Sequence, residues 1–150
     1  MGNTYCAIHI HYVFSPRGRI PMITGELRDR LSGYVGGILK KYHVTALCIG
    51  GTSDHLHILA SLPTEISVAK VAQVAKGGSP KWIHDTFPDK CTFAWQRGYG
   101  AFSVSISQIQ DTVEYIRNQE EHHRTRSFQD EYLMFLKKHG VQYDERYLWG

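Results

Sequence analysis

VTALCIGGTSDHLHILASL, residues 44–62, is the stretch whose reading decides the fold. Two apolar runs, 44–49 and 55–62, flank Gly50-Gly51-Thr52-Ser53-Asp54, a short cluster of turn residues that predicts an antiparallel hairpin. In the second run Leu56, Ile58, Ala60 and Leu62 alternate with His55, His57 and Leu59. A strand sends alternate side chains to opposite faces, so one face is aliphatic and the other presents two imidazoles on the same side.

Working outward, residues 4–14 (TYCAIHIHYVF) read as a strand. Cys6, Ile8, Ile10, Tyr12 and Phe14 take one face, and Tyr5, Ala7, His9, His11 and Val13 the other. A helix is predicted at about 24–42, capped by Thr24, with Leu27, Leu31, Tyr34, Val35, Ile38 and Leu39 as its buried stripe. A second helix spans 67–85, capped by Ser67 and kinked or split at Gly77-Gly78-Ser79-Pro80. Residues 92–106 read as the last strand or a broken pair of strands. A helix at 107–123 follows, with Ser107 and Gln110 as a capping box, and another from 127 or 128 to about 138, before Gly140. The tail 143–149 mixes polar and aromatic residues, which favours docking on a body or another subunit.

The order β-α-β-β-α-β is the ferredoxin-like split β-α-β arrangement of the α+β class. It places helices on one face of an antiparallel sheet and leaves the other face available. We expect one domain over 1–150, with a C-terminal helical extension from about 107. First and third strands are neighbours in this topology, so His9, His11, His55 and His57 are expected in one region of the outer face.

A chain of 150 residues can bury a real core, and 42% hydrophobic content with nine Tyr and six Phe argues against disorder. Residues 1–100 carry eleven Lys/Arg against six Asp/Glu, whereas 101–150 carry six against eight. A basic first two-thirds suits a polyanionic partner. Cys6, Cys48 and Cys91 form no CxxC pair and read as buried free thiols of a reducing compartment. No segment approaches the ~18 apolar residues of a membrane span, so no membrane partner is expected, and a cytoplasmic, nucleoid-associated protein is.

Two imidazoles at i and i+2 on a strand can converge on one cation. Alone, the pair fits half-satisfied sheet histidines better, and His9 with His11 repeats the pattern at small cost. The second constellation is Tyr115-Ile116-Arg117-Asn118-Gln119, continuing to His122-His123. On a helix with Ile109, Val113 and Ile116 inward, Tyr115, Gln119 and His122 share a flank of the buried stripe, and residues at i and i+4 meet. A cation held partly by the Gln119 amide oxygen would then lie near the Tyr115 phenol. Phosphodiester cleavage needs a nucleophile, charge on the phosphate and help for the leaving oxygen, and a tyrosine near pKa ~10 needs such help. Asp54 is placed either to orient an imidazole or to cap the 50–54 turn.

His55-Leu56-His57 together with Tyr-Ile-x-Asn-Gln-x-x-His-His over 115–123 resembles the single-tyrosine HUH transposases of the smallest bacterial insertion sequences, relatives of the REP-associated tyrosine transposases. The likeness extends to the Ile-His-x-x-Phe opening strand, to 54–59, to 79–84, to Phe93-Ala94-Trp95-Gln96-x-Gly98-Tyr99-Gly100-Ala101-Phe102-Ser103, and to the tail at 143–148. The Gly77-Gly78-Ser79-Pro80 segment departs from the resemblance, which implies a continuous, more polar helix there.

The resemblance implies that His55, His57 and Gln119 hold a divalent metal, Mg²⁺ or Mn²⁺, with no nucleotide cofactor. Asp54, His122, His9 and His11 are then near the site. Tyr115 would form a 5′-phosphotyrosine bond with single-stranded DNA from hairpin-bearing element ends and release a free 3′-OH for rejoining. The family also implies a homodimer in which the nucleophile helix can complete the partner's histidine pair. Arg17, Arg19, Lys70, Lys76, Lys81, Arg97, Arg124 and Arg126 are candidates for phosphate contact, and Trp82 and Trp95 for base stacking or core packing. The competing readings are a non-catalytic single-stranded nucleic-acid-binding module using an open sheet face, and an HUH replication-type nickase, which would normally accompany a larger chain.

Overall fold

The computed structural model describes residues 2–149. β1 (Ile8–Phe14) sits inside a four-stranded antiparallel sheet of order β2-β3-β1-β4, with β2 at Thr45–Thr52, β3 at His55–Leu62 and β4 at Gly100–Ser103. This is the strand order of the expected split β-α-β topology. The 44–62 hairpin is tighter than the sequence implies. Thr52 pairs with His55, so Gly50 and Gly51 belong to the strand and only Ser53 and Asp54 turn. Gly51 pairs with Leu56, and the position takes glycine because a Cβ there would come within 2.3 Å of the His55 carbonyl oxygen.

α1 (Gly25–Lys40), α2 (Val68–Gly77) and α3 (Ser79–Thr86) cover one face. Tyr12, Phe14, Leu56, Ile58, Ala60 and Leu62 of the sheet meet Leu27, Leu31, Val35 and Leu39 of α1, Val71, Ala72 and Ala75 of α2, and Ile83 of α3. The second predicted helix does split at Gly78, two residues before Pro80, which sits in the first turn of α3. Ser67 caps α2 by accepting from the Lys70 amide at 3.0 Å. Thr24 makes no such bond to α1; its hydroxyl accepts from Lys90 Nζ at 2.8 Å instead.

The other face is not available, contrary to expectation. α4 (Ile109–Arg117), α5 (Gln119–His122) and α6 (Phe128–Lys138) close over it, followed by α7 (Glu145–Leu148). Val13 and Phe102 are buried there with Phe128, Phe135 and Leu136, and Tyr115, Tyr132, Tyr143 and Leu148 pack against them. The physical reason is apolar area: Val13 and Phe102 give this face a hydrophobic patch that must be covered.

The last strand is also shorter than 92–106. Lys76 Nζ donates to the carbonyls of Gln96, Arg97 and Gly98 at 2.6, 3.0 and 3.4 Å, which takes this segment out of the ladder. Only a bridge between Pro16 and Trp95 precedes β4. The helix predicted at 107–123 begins after a 3₁₀ turn at Ile106–Gln108 and breaks at Asn118. Ser107 does not cap it; its hydroxyl pairs with Ser105 at 3.1 Å. Ser127 caps α6 through the Asp130 amide. Cys6 and Cys91 are exposed free thiols and Cys48 is half-buried, so the cysteines are not the core residues anticipated. Among the described residues no helix is long and apolar enough to cross a membrane.

Candidate active site

β3 carries His55 and His57 on the face beneath α4–α6, and both are fully buried. The register sets Val13 of β1 opposite His57 and His11 opposite Leu59, so His11 and His57 are same-face diagonal neighbours. His11 Nε2 lies 2.7 Å from His57 Nδ1. His9, one step further along β1 opposite Ser61, stays half-buried and has no hydrogen bond into the cluster. Only one of the first-strand histidines therefore joins the site.

His55 Nδ1 donates to Asp54 Oδ1 at 2.8 Å, and Asp54 also accepts from the Thr52 hydroxyl at 3.1 Å. Asp54 thus both closes the turn and orients the imidazole. Burial pushes the Asp54 carboxyl up, but the hydrogen bond and charge of His55, joined by the Thr52 hydroxyl and His123, together hold it below the usual range. With Nδ1 turned to Asp54, His55 presents Nε2 to Gln119 Oε1, 2.8 Å away. The amide orientation is fixed from its other end, since Gln119 Nε2 donates to the Tyr115 carbonyl at 3.2 Å. An imidazole nitrogen and an amide oxygen held this close in a buried site are two donor atoms that one cation could share.

The break at Asn118 (φ −100°, ψ 26°) separates Tyr115 on α4 from Gln119 on α5 and turns Gln119 fully inward. α4 reaches this depth because β2 has no side chain at Gly50, where a Cβ would stand 2.9 Å from the Ile116 carbonyl oxygen.

The central group is one that sequence reasoning missed. Glu131 of α6 is completely buried. Its Oε1 accepts from His57 Nε2 at 2.9 Å and lies 3.7 Å from His55 Nε2. Its Oε2 accepts from the Tyr115 hydroxyl and from His123 Nε2, the latter at 3.0 Å. Burial would raise the Glu131 carboxyl, but the hydrogen bonds and charge of His57 and the Tyr115 hydroxyl hold it down at about 2. His57 is driven toward its neutral form by burial, and His11 falls well below the ordinary imidazole value for the same reason, with His57 adding to it. Burial, and then the Glu131 carboxylate, push the Tyr115 phenol above its ordinary value. The half-buried Tyr115 ring stacks on His122, with centroids 4.6 Å apart.

His55, His57 and Glu131 offer ligand atoms that all lie within 4.8 Å of one another, a cluster capable of holding a divalent metal. Two imidazoles with oxygen donors and no thiolate suit a borderline-to-hard cation. A signal for Glu131 does exist in the sequence. Phe128, Glu131 and Phe135 stand at i, i+3 and i+7, so the charge lies on the apolar stripe of its own helix.

The eight basic candidates do not form one surface. Arg17, Lys76 and Arg97 line a shallow groove with Trp95 and Tyr99. Lys76 is already spent on three carbonyls. Arg124 borders a separate polar cleft with Arg28 and Arg117, between α1, β2 and the α4–α5 break. Arg19 stacks on Trp149, Lys81 pairs with Asp85 at 3.0 Å, Lys70 lies over Tyr42, and Arg126 lies against Met134. Trp95 is buried with Nε1 donating to Ser79, and one face of Trp82 is covered by Tyr34, so both belong to packing.

A family model described as "Transposase IS200 like" matches residues 4–119. The transposase for insertion sequence element IS200 of Salmonella typhimurium is 32% identical over 116 residues, covering 70% of this chain and 74% of that protein. Its counterpart from Salmonella typhi matches equally. Among solved structures, a putative transposase from Deinococcus radiodurans R1 superposes with a TM-score of 0.65 at 20% identity, over 79% of this chain and 96% of the other. A REP-associated tyrosine transposase bound to a REP hairpin gives a TM-score of 0.60 at 13% identity, over 82% and 73%. These two likenesses are of fold.

Proposed function

Because the chain belongs to the IS200-like transposase family, we propose that Tyr115 is its nucleophile and that His55, His57 and Gln119 hold the divalent metal of a single-stranded DNA transposase. One observation carries this reading: the Tyr115 hydroxyl and the His55–His57 pair meet on the same buried carboxylate. Nucleophile and metal cluster therefore belong to one network.

The donor set fits Mg²⁺ or Mn²⁺, and two imidazoles favour Mn²⁺ of the two. Such a cation supplies positive charge for the scissile phosphate and the departing oxygen. The protein's own groups do the rest. Asp54 and His11 fix the rings of His55 and His57 through their Nδ1 atoms. Tyr115 is aimed by the Glu131 carboxylate and by the stacked His122 ring. Its oxygen attacks phosphorus, forming a 5′-phosphotyrosine ester as the phosphorus–O3′ bond breaks and a free 3′-OH leaves. That hydroxyl later attacks another phosphotyrosine ester, so bond energy is conserved and no nucleotide cofactor is needed. The substrate class is single-stranded DNA with hairpin-bearing ends, the hairpin being what the REP-associated relative binds. The functional unit is a homodimer.

A non-catalytic module reading bases on an open sheet has no support here, because Val13 and Phe102 lie under α6. The replication-nickase reading is disfavoured by the family match. The test is cleavage of labelled single-stranded element ends in Mn²⁺ or Mg²⁺. We expect a covalent protein–DNA adduct in the parent and none in Tyr115→Phe. An adduct that persists in Tyr115→Phe removes the nucleophile assignment.

A further inference from the structure

Glu131 lies twelve residues past the end of the family-matched segment, on a helix of its own. It is fully buried among aromatic groups, with the ring of Phe128 stacked on His55 and Phe135 edge-on to Tyr115. An ionised carboxylate in such surroundings is costly unless every lone pair is engaged. Here the two oxygens are engaged in different tasks. Oε1 points between the two metal-site imidazoles, 2.9 Å from His57 Nε2 and 3.7 Å from His55 Nε2. Oε2 takes the Tyr115 hydroxyl, with His123 as its second donor. Phe128 and Phe135 pack on either side of the α6 turn that bears it, so the carboxylate has little freedom to serve one task and desert the other.

We propose that Glu131 tethers the nucleophile to the metal centre: Oε1 is a further metal ligand beside His55, His57 and Gln119, while Oε2 positions the Tyr115 hydroxyl. This rests on the reading of the site given above. The consequence is coupling. Filling the metal site draws on the electron density of the carboxylate that holds Tyr115, so metal occupancy and the state of the phenol cease to be independent. By linkage the effect runs both ways, and altering the phenol alters metal affinity. A buried strut would do neither.

The test uses the metal-free 150-residue chain without DNA. Mn²⁺ affinity is measured by calorimetry for the parent, Glu131→Gln, Glu131→Asp, Tyr115→Phe and His55→Ala. In parallel, 3-fluorotyrosine placed at 115 is followed by ¹⁹F resonance as Mg²⁺ is added. We expect Glu131→Gln to lose about tenfold or more in Mn²⁺ affinity, Glu131→Asp to recover part of it, and Tyr115→Phe to shift it severalfold. The ¹⁹F resonance at 115 should move with Mg²⁺ in the parent and not in Glu131→Gln. Should Glu131→Gln fail to fold, the Tyr115→Phe affinity and the parent's ¹⁹F response decide alone. Parent-like Mn²⁺ binding by Glu131→Gln, with binding lost in His55→Ala, overturns the proposal and leaves the metal centre standing. A ¹⁹F signal indifferent to Mg²⁺ in the parent overturns it equally. No Mn²⁺ binding by the parent removes both.

Discussion

His57 has a partner on each ring nitrogen, and the partners define what acid does to the metal-free protein. Glu131 only accepts, so Nε2 donates to it, and Nδ1 is left to accept from His11 Nε2. Both rings are neutral in this arrangement, in keeping with the downward shift that burial imposes on each. An imidazole depressed in the fold takes up its proton more readily in the unfolded chain. The unfolded state therefore binds protons from about pH 6.5 downward that the folded state refuses, and stability falls as pH falls. Glu131 acts in the same direction at lower pH. Its ordinary value is 4.5 and its value in the fold is about 2, so the stability it contributes above pH 4.5 is lost on the way down to 2. Thermal melts of chelator-treated protein between pH 8 and 4 should show the midpoint declining from about 6.5 onward. A midpoint flat to pH 5 would mean that the two rings are not buried neutral. Mn²⁺ should raise the midpoint near neutrality and lose that effect in acid, since its ligands must be deprotonated.

At the level of elements, the site depends on how closely α4 lies on β2. Gly50 faces the Ile116 backbone, and a methyl group there meets a carbonyl oxygen rather than a movable side chain. Gly50→Ala should cost about 1–3 kcal/mol as an overpacked contact. It should also lift the last turn of α4, which bears Tyr115. Adduct yield is then expected to fall several-fold at a temperature where circular dichroism reports a folded protein; undiminished yield would show that α4 has slack. The same element marks the boundary of what the sequence discloses. Alternation places His55, His57 and Leu59 opposite Leu56, Ile58 and Ala60, and this is how they lie. Helical spacing brings Gln119 to Tyr115, and that contact also forms, though through the Tyr115 carbonyl and across a break at Asn118. Glu131 is marked only by its place on the apolar stripe of α6, and nothing in the sequence ties that mark to the site. An acidic residue in the first turn of a helix is ordinarily a favourable dipole partner in water, and its contact with His57 spans 74 positions. Gly50 and Gly51 read as turn because composition cannot tell a bend from a strand that another backbone approaches.

On the scale of the molecule, the site is assembled from two consecutive blocks of chain. His11, Asp54, His55 and His57 belong to the sheet, and Tyr115, Gln119 and Glu131 belong to α4–α6. Between them run residues 104–108, of which all but Val104 are exposed. A helical block joined by so short and exposed a connection can cover the sheet of a second copy through the same contacts it makes here, and exchange of identical elements is a low-cost route to a dimer. We expect the proposed homodimer to use it. The two arrangements differ in a mixture of His57→Ala and Tyr115→Phe proteins. If each chain builds its own site, every site in a mixed dimer carries one lesion, and mixing restores nothing. If the blocks are exchanged, one site in each mixed dimer carries both lesions and the other carries none. Random pairing at equal amounts then restores about a quarter of the parent's sites. Adduct formation by the mixture, with mixed dimers verified by differential tags, should approach that fraction. Yields no higher than those of the separate mutants would place Tyr115 and His57 of each working site on one chain.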